Sequence, residues 1–187
     1  MSRSKSLPPI GRRDGDWRDR PNVVPWPPIV FAGTVAVAVT LEYLLPLGGM
    51  VPASGAVGLF GAAAMLAGIA LDVAAMREMH RAKANIQPHR AATALVTTGP
   101  FAWSRNPIYL GNTALIAGAG LAFGNPWLVL MTVVIIRLVS VLAVRREEAH
   151  LAARFGEAWA AYAKRTPRWL RLRPQPPRRP AGSLPGR

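Results

Sequence analysis

The stretch LVTTGPFAWSRNPIYLG, residues 95–111, lies between long apolar runs and concentrates turn formers, aromatic residues and an arginine. Gly99 and Pro100 predict a turn, because proline disfavours helical geometry in the residue before it and has no backbone N–H to donate. Asn106 and Pro107 predict a helix start, since asparagine is a good N-cap and proline suits the first helical position. A turn followed by a new helix is therefore expected here.

Arg105 directly precedes this predicted helix start. The first N–H groups of a helix have no partner within the helix, and the helix dipole is positive there. Together with a forked guanidinium, such a helix end suits an anionic group such as a carboxylate or a phosphate. We therefore expect the chemistry of the protein in this stretch.

The composition indicates a membrane protein. The chain has 187 residues, of which 51% are hydrophobic and 17% are charged, and its formal net charge is +14. Of the 23 Lys and Arg, only Arg137 lies inside an apolar run. Basic residues that flank apolar spans are typical of membrane topology, so we expect no nucleic-acid binding. Cysteine is absent, and His80 and His150 lack metal-ligand spacing, so no metal site is predicted.

The apolar segments predict an all-α, polytopic membrane protein with about four transmembrane helices. The predicted spans are residues 29–47, 54–76, 108–123 and 126–144, and the third is short for a membrane helix. Glycine and alanine are frequent in the second span, which predicts a packed, central helix. The tight turn at Gly124-Asn125 predicts that the last two spans form an antiparallel hairpin.

The charge of the loops predicts the orientation. The segments before the first span, between the second and third spans, and after the fourth are basic, whereas the other two loops carry no Lys or Arg. The positive-inside bias then places both termini in the cytoplasm. We expect an integral, multi-pass protein of a bacterial cell membrane, with a membrane domain over residues 29–168 and disordered basic tails over residues 1–28 and 169–187.

Glu42, Asp72 and Arg137 are charged residues within the predicted spans. Ionisable groups are costly to bury in lipid, so they usually face a partner, water or a functional site. Asp72 lies near the cytoplasmic end of its span and is expected to reach water. Glu42 and an anionic group of a substrate are the candidate partners for Arg137.

The last part of the chain predicts a cytoplasmic amphipathic helix over about residues 145–164. Its apolar face recurs at spacings of four, four and three residues, at Leu151, Phe155, Trp159 and Tyr162. Such a helix either lies on the membrane surface or folds over the end of the helix bundle.

Glu147 and Glu148 begin this helix next to two arginines. From the residues alone we favour a solvated pair that neutralises Arg145 and Arg146. A pair of ligand-binding carboxylates is the alternative.

Several blocks of the sequence, taken in order, resemble a known group of enzymes. GPFAWSRNPIYLG at residues 99–111 is followed about 35 residues later by Glu-Glu-x-x-Leu from Glu147, then by Phe-Gly-x-x-Trp-x-x-Tyr from Phe155 and Thr-Pro-Arg from Thr166. This order resembles the isoprenylcysteine carboxyl methyltransferase and phospholipid methyltransferase families. The resemblance covers about residues 95–168 and implies an integral membrane enzyme that uses S-adenosylmethionine.

The resemblance also implies a cofactor site formed by residues 89–109 and 145–168. Apolar side chains of the first segment would flank the adenine, and the acidic pair would bind the ammonium or the ribose hydroxyls. The implied cofactor-binding residues are His89, Leu95, Val96, Gly99, Pro100, Phe101, Arg105, Asn106, Pro107, Tyr109, Glu147 and Glu148.

Two positions depart from the family pattern. Asn106 stands where the Arg-His-Pro-x-Tyr motif has histidine. Asparagine can form hydrogen bonds but cannot transfer a proton, so no general base is assigned there. Thr93 stands where the isoprenylcysteine enzymes have histidine, and His89 is the nearest histidine.

The expected function is methyl transfer to a lipid-like or prenylated acceptor in the bilayer, with carboxyl O-methylation as one version. Arg105 and Glu147 are expected to position the reactants, and Arg168 either holds a substrate anion or extends to lipid phosphate. Displacement at a sulfonium needs alignment and exclusion of water more than a strong base. Two alternatives stay open: a non-catalytic lipid-binding or scaffolding protein, and a sterol-reductase-like oxidoreductase with a nicotinamide cofactor.

Overall fold

The computed structural model describes residues 25–48, 51, 55–84 and 92–170. This part of the chain is helical and contains no strand, which confirms the all-α fold. The predictions for His89 and for most of both tails fall outside the described residues.

Five α-helices make up the described fold. Their bounds are Trp26–Leu44 for α1, Gly55–Arg81 for α2, Pro107–Ala122 for α3, Pro126–Val139 for α4 and Arg145–Arg165 for α5. A 3₁₀ turn at Gly99–Ala102 precedes α3. A π-helical segment at Ser140–Val144 joins α4 to α5 without a break.

Three helices are long and apolar enough to cross a membrane, namely α1, α2 and the continuous helix formed by α4 and α5. The fourth apolar helix, α3, has 16 residues and is about 24 Å long, which is less than the ~30 Å hydrocarbon core. Membrane-spanning helices are therefore confirmed, while a count of four spans stays a prediction. α1 begins three residues earlier than expected, because Pro27 and Pro28 fit the first helical turn, where N–H groups lack partners anyway.

α2 and α3 pack through glycines that let their backbones touch. Gly61 lies against Gly118 and Gly68 against Gly111; a Cβ at Gly68 would lie 2.6 Å from the Gly111 carbonyl oxygen. The buried residues of α2 form one stripe at intervals of seven, Gly61, Gly68 and Ala75. The rest of its surface is largely exposed, so the prediction of a central helix is wrong. Small residues allow close approach on the face they occupy and do not cover the other faces.

The main apolar core lies where α1 meets the continuous α4–α5 helix. α3 packs between α2 and α4, and α1 packs on α4. The buried cluster consists of Val30, Ile135, Val139, Ala143 and Val144. Trp169 also packs against this cluster.

The C-terminal helix is a continuation of the last span. One helix of 40 residues runs from Pro126 to Arg165. At Gly156 the backbone adopts φ 50° and ψ −120°, a conformation that favours glycine, and the helix changes direction. Beyond this kink Tyr162 Oη donates a 2.8 Å hydrogen bond to the carbonyl oxygen of Phe101. Of the two predicted placements, the one over the end of the bundle is therefore observed.

The charged residues within the spans do not pair as expected. Arg137 is exposed on α4, and no ion pair joins it to Glu42 in the described part of the chain. Asp72 Oδ1 is buried without a hydrogen-bond partner beside Gly111, so the expectation that this carboxylate reaches water is wrong for this oxygen.

The glycine contact between α2 and α3 can be tested with Gly68→Ala. The added Cβ meets backbone atoms of α3 that cannot move aside, so we expect a loss of about 1–3 kcal/mol in the free energy of unfolding. Gly33→Ala on α1 is the matched control, because nothing lies within 4 Å of its Cβ position. Both would be measured by denaturant titration in mixed micelles. Equal stability of the two variants would contradict the close contact.

Candidate active site

A cavity of about 410 Å³ lies at the end of the bundle that carries the basic loops. Its walls come from the start of α1, the end of α2, residues 92–109, the start of α5 and the kinked end of α5. Nine of the predicted cofactor residues line it: Leu95, Val96, Phe101, Arg105, Asn106, Pro107, Tyr109, Glu147 and Glu148. Gly99, Pro100 and Arg168 do not line it, and His89 lies outside the described residues.

Glu148 is held by two arginines. Arg168 Nε and Nη2 donate to its two oxygens at 3.0 and 2.5 Å, and Arg105 Nη1 lies 3.3 Å from Oε1. The Glu148 side chain is 13% exposed, so its charge is compensated by these cations rather than by water. The hydrogen bonds to Glu148 raise the pKa of Arg168. Glu148 thus connects the loop before α3, the start of α5 and the closing segment, which is residues 166–170 after α5.

Arg105 is fixed on three sides and keeps one free donor. Its backbone N–H donates to the carbonyl oxygen of Pro167 at 2.9 Å. Its guanidinium carbon lies 5.5 Å from the ring centroid of Trp159, a cation–π distance. Its Nε is buried and has no hydrogen-bond partner. Since a buried unpaired donor is costly, this N–H is available for an acceptor in the cavity.

Asn106 occupies the N-cap position of α3, but its side chain does not cap the helix as predicted. Its Nδ2 instead donates to the carbonyl oxygen of Arg168 at 3.0 Å. Ser104 Oγ takes part in the same contact, donating to this oxygen at 3.3 Å and accepting the Asn106 N–H at 3.1 Å. The residue that replaces the family's histidine therefore fastens the closing segment to the start of α3.

Glu147 points to the other side, toward α3. Its Oε1 accepts a 2.7 Å hydrogen bond from Tyr109 Oη. Burial raises the pKa of Glu147 to about 7; the Tyr109 hydrogen bond lowers it and the Glu148 charge raises it. No arginine or lysine forms an ion pair with Glu147 among the described residues. The two adjacent glutamates thus have different surroundings. Neither of them forms the solvated pair with Arg145 and Arg146 that the residues alone favoured.

The loop that forms the apolar wall is held at both ends. Gly99 has φ 58°, as the predicted turn requires, and a Cβ there would lie 3.3 Å from the Glu78 side chain. Thr98 Oγ1 donates to Glu78 Oε1 at 2.5 Å. The Tyr162 hydrogen bond to Phe101 described above closes the loop from the opposite side. Leu95, Val96 and Phe101 are thereby fixed in the cavity wall.

Several lining residues were missed by the sequence analysis. His150 is buried and its Nε2 accepts the backbone N–H of Ala92 at 3.2 Å. It lies one helical turn after Glu147, and this spacing is the signal that places both on one face. Phe31 of α1 and Met76 and Met79 of α2 also line the cavity, and no local pattern marks them.

The sequence model described as phospholipid methyltransferase matches residues 57–158, more than half of the chain. The chain belongs to the phospholipid methyltransferase family. No curated protein and no solved structure matches it.

For this phospholipid methyltransferase family member, the match supports the expected membrane methyltransferase that acts on lipids. The matched residues include α2 apart from its first two residues, α3, α4 and both glutamates, while α1 and the closing segment lie outside. In the described part of the chain no group of three His, Cys, Asp or Glu residues is placed to hold a metal ion.

The contact between Asn106 and the closing segment can be tested with Asn106→Asp. A carboxylate oxygen 3.0 Å from the Arg168 carbonyl would repel it, so we expect faster hydrogen exchange at the Arg105 N–H, which is bonded to Pro167. Asn106→His keeps a donor and should preserve protection. Asn125→Asp is the control, because Asn125 accepts from the Leu128 N–H and a carboxylate accepts as well. Unchanged exchange in Asn106→Asp would show that this bond does not hold the segment.

Proposed function

We propose that the protein transfers a methyl group from S-adenosylmethionine to a lipid-like acceptor in the membrane. The main support is that nine predicted cofactor residues surround one cavity in a chain of the phospholipid methyltransferase family. When bound, the cofactor supplies a methyl group activated by a positively charged sulfonium.

The residues around the cavity fit this cofactor. The buried, unpaired Nε of Arg105 is a donor for an anionic group such as the cofactor carboxylate. The carboxylate of Glu147 has no paired cation and would attract the sulfonium or the ammonium. Leu95, Val96 and Phe101 provide an apolar surface for the adenine ring. Polar and apolar groups of the cofactor thus each have a matching wall.

Another part of the cavity wall fits a lipid acceptor. Pro27, Pro28 and Phe31 from the start of α1 line the cavity together with Met76 and Met79 from the end of α2. These side chains offer no charged group, so they suit an aliphatic chain better than a polar solute. The basic residues that flank this end of the helices support a cytoplasmic location for the cavity.

The protein's contribution to the transfer is alignment and exclusion of water. The pairing of Glu148 with two arginines fixes the part of the cavity wall formed by Arg105 and Glu148, which we call the rim. The kinked end of α5 adds Trp159 and Tyr162 to the wall. Carboxyl O-methylation requires a cation to hold the acceptor. Arg168 does not line the cavity, so Arg105, whose buried Nε has no partner, is the cation available there for that version. An amine acceptor would instead face Glu147.

Calorimetric binding of S-adenosylmethionine to the detergent-purified protein tests this proposal. We expect Arg105→Gln and Glu147→Gln each to weaken binding tenfold or more, about 1.4 kcal/mol, because each removes a charge that faces the cofactor. The matched controls are Arg154→Gln and Glu157→Gln, which are exposed on α5 and should bind like the wild type.

Absence of binding by the folded wild-type protein, with and without added lipid, would reject the methyltransferase proposal. Binding of a nicotinamide cofactor instead would favour the reductase alternative. Equal losses in the site variants and in their controls would mean that the cofactor does not occupy this cavity.

A further inference from the structure

Residues 92–98, which we call the wall segment, contain no helix or strand. Such backbone keeps its position only through contacts with the packed elements around it. The end of the wall segment is attached to α2, because Thr98 Oγ1 donates to Glu78. The residues of the segment that line the cavity lie before that attachment: Ala92, Ala94, Leu95 and Val96. A second attachment, at the beginning of the segment, is therefore needed to fix them.

His150 of α5 provides this second attachment. Its Nε2 accepts the backbone N–H of Ala92 at 3.2 Å, and the residue is 1% exposed. Thr93 also contributes, through a 2.9 Å hydrogen bond from its Oγ1 to the carbonyl oxygen of Lys83, but Thr93 is exposed. A buried hydrogen bond is harder to break than an exposed one, because the separated groups cannot turn to water. The bond to His150 is therefore the stronger attachment.

We propose that His150 is a positioning residue, whose Nε2 holds the wall segment so that Leu95 and Val96 face the adenine ring of the cofactor. The inference rests on the proposed function, since it assigns a further residue to cofactor binding in the same cavity. The role requires a neutral imidazole with its hydrogen on Nδ1, because only then does Nε2 carry the lone pair that accepts the Ala92 N–H.

The two nitrogens of the ring allow this bond to be tested by itself. Nε2 lies at the far end of the side chain, where the amide oxygen of a glutamine can also reach. Asparagine is shorter and places its amide near the position of Nδ1. His150→Gln therefore keeps an acceptor for the Ala92 N–H, whereas His150→Asn removes it and still leaves a polar side chain on α5.

Hydrogen exchange at the Ala92 N–H, in the protein without cofactor, tests the contact. In His150→Asn we expect this exchange to be about tenfold faster or more, because a shielded N–H loses its acceptor. His150→Gln should exchange like the wild type. The Val139 N–H lies in the apolar core and should be unchanged in both variants. His80→Asn is the matched control, the same substitution at an exposed histidine of α2.

Calorimetry tests the consequence for the ligand. His150→Asn should weaken binding of S-adenosylmethionine about tenfold, whereas His150→Gln and His80→Asn should bind it like the wild type. S-adenosylhomocysteine carries the same adenosine without the positive charge on sulfur. If the wall segment acts on the adenine, His150→Asn should weaken both ligands by the same factor. A role limited to packing would make the glutamine and asparagine variants equally defective.

Three results would overturn the role of His150. They are unchanged Ala92 exchange in His150→Asn, equal acceleration at Ala92 and Val139 in both variants, and faster Ala92 exchange combined with wild-type binding of both ligands. Each of them leaves the methyltransferase proposal standing if the wild type binds S-adenosylmethionine. Absence of binding by the folded wild-type protein would reject both proposals.

Discussion

The rim of the cavity depends on the charge of one buried carboxylate. Glu148 must be compensated where it lies, and the cations come from segments distant in sequence, Arg105 before α3 and Arg168 after α5. Removing Glu148 would leave the 15% exposed Arg105 side chain without its carboxylate partner in a poorly hydrated site, which is destabilising. The same contact fixes the Arg105 guanidinium over Trp159 and brings its N–H to Pro167. The geometry of the candidate site is therefore a consequence of this charge balance.

Glu147 and Glu148 have different surroundings because consecutive side chains on a helix point in different directions. Consecutive side chains on a helix point about 100° apart, so Glu148 meets the two arginines while Glu147 meets Tyr109 on α3. Because Arg105 and Arg168 pair with Glu148, they form no ion pair with Glu147. The burial that raises the pKa of Glu147 is then opposed by a single neutral hydroxyl. One carboxylate is engaged in ion pairs, whereas its neighbour is bonded only to the Tyr109 hydroxyl.

Local rules predicted much of this fold. The turn at Gly99, the helix start at Pro107 and the hairpin at Gly124 follow from backbone preferences that neighbouring residues do not change. The Asn106 side chain was predicted wrongly, since its partner is a carbonyl 62 positions away, and a distant acceptor replaced the local cap. His150 was considered only as a metal ligand, and its place in the cavity was not predicted because its contact with Ala92 exists only after folding. The spacing of residues in the sequence does not predict which side chains pair with distant parts of the chain.

The family match covers only part of the cavity lining. It ends at residue 158, before Trp159, Tyr162 and Arg168, and it begins after α1, which supplies Phe31 to the cavity. Without the closing segment Glu148 would lose the cation that binds both its oxygens, and the rim held by Arg105 would lose its anchor at Pro167. Without α1 the cavity would lose the lining residues Pro27, Pro28 and Phe31. The cavity is thus formed by the matched core only when both flanking segments pack against it.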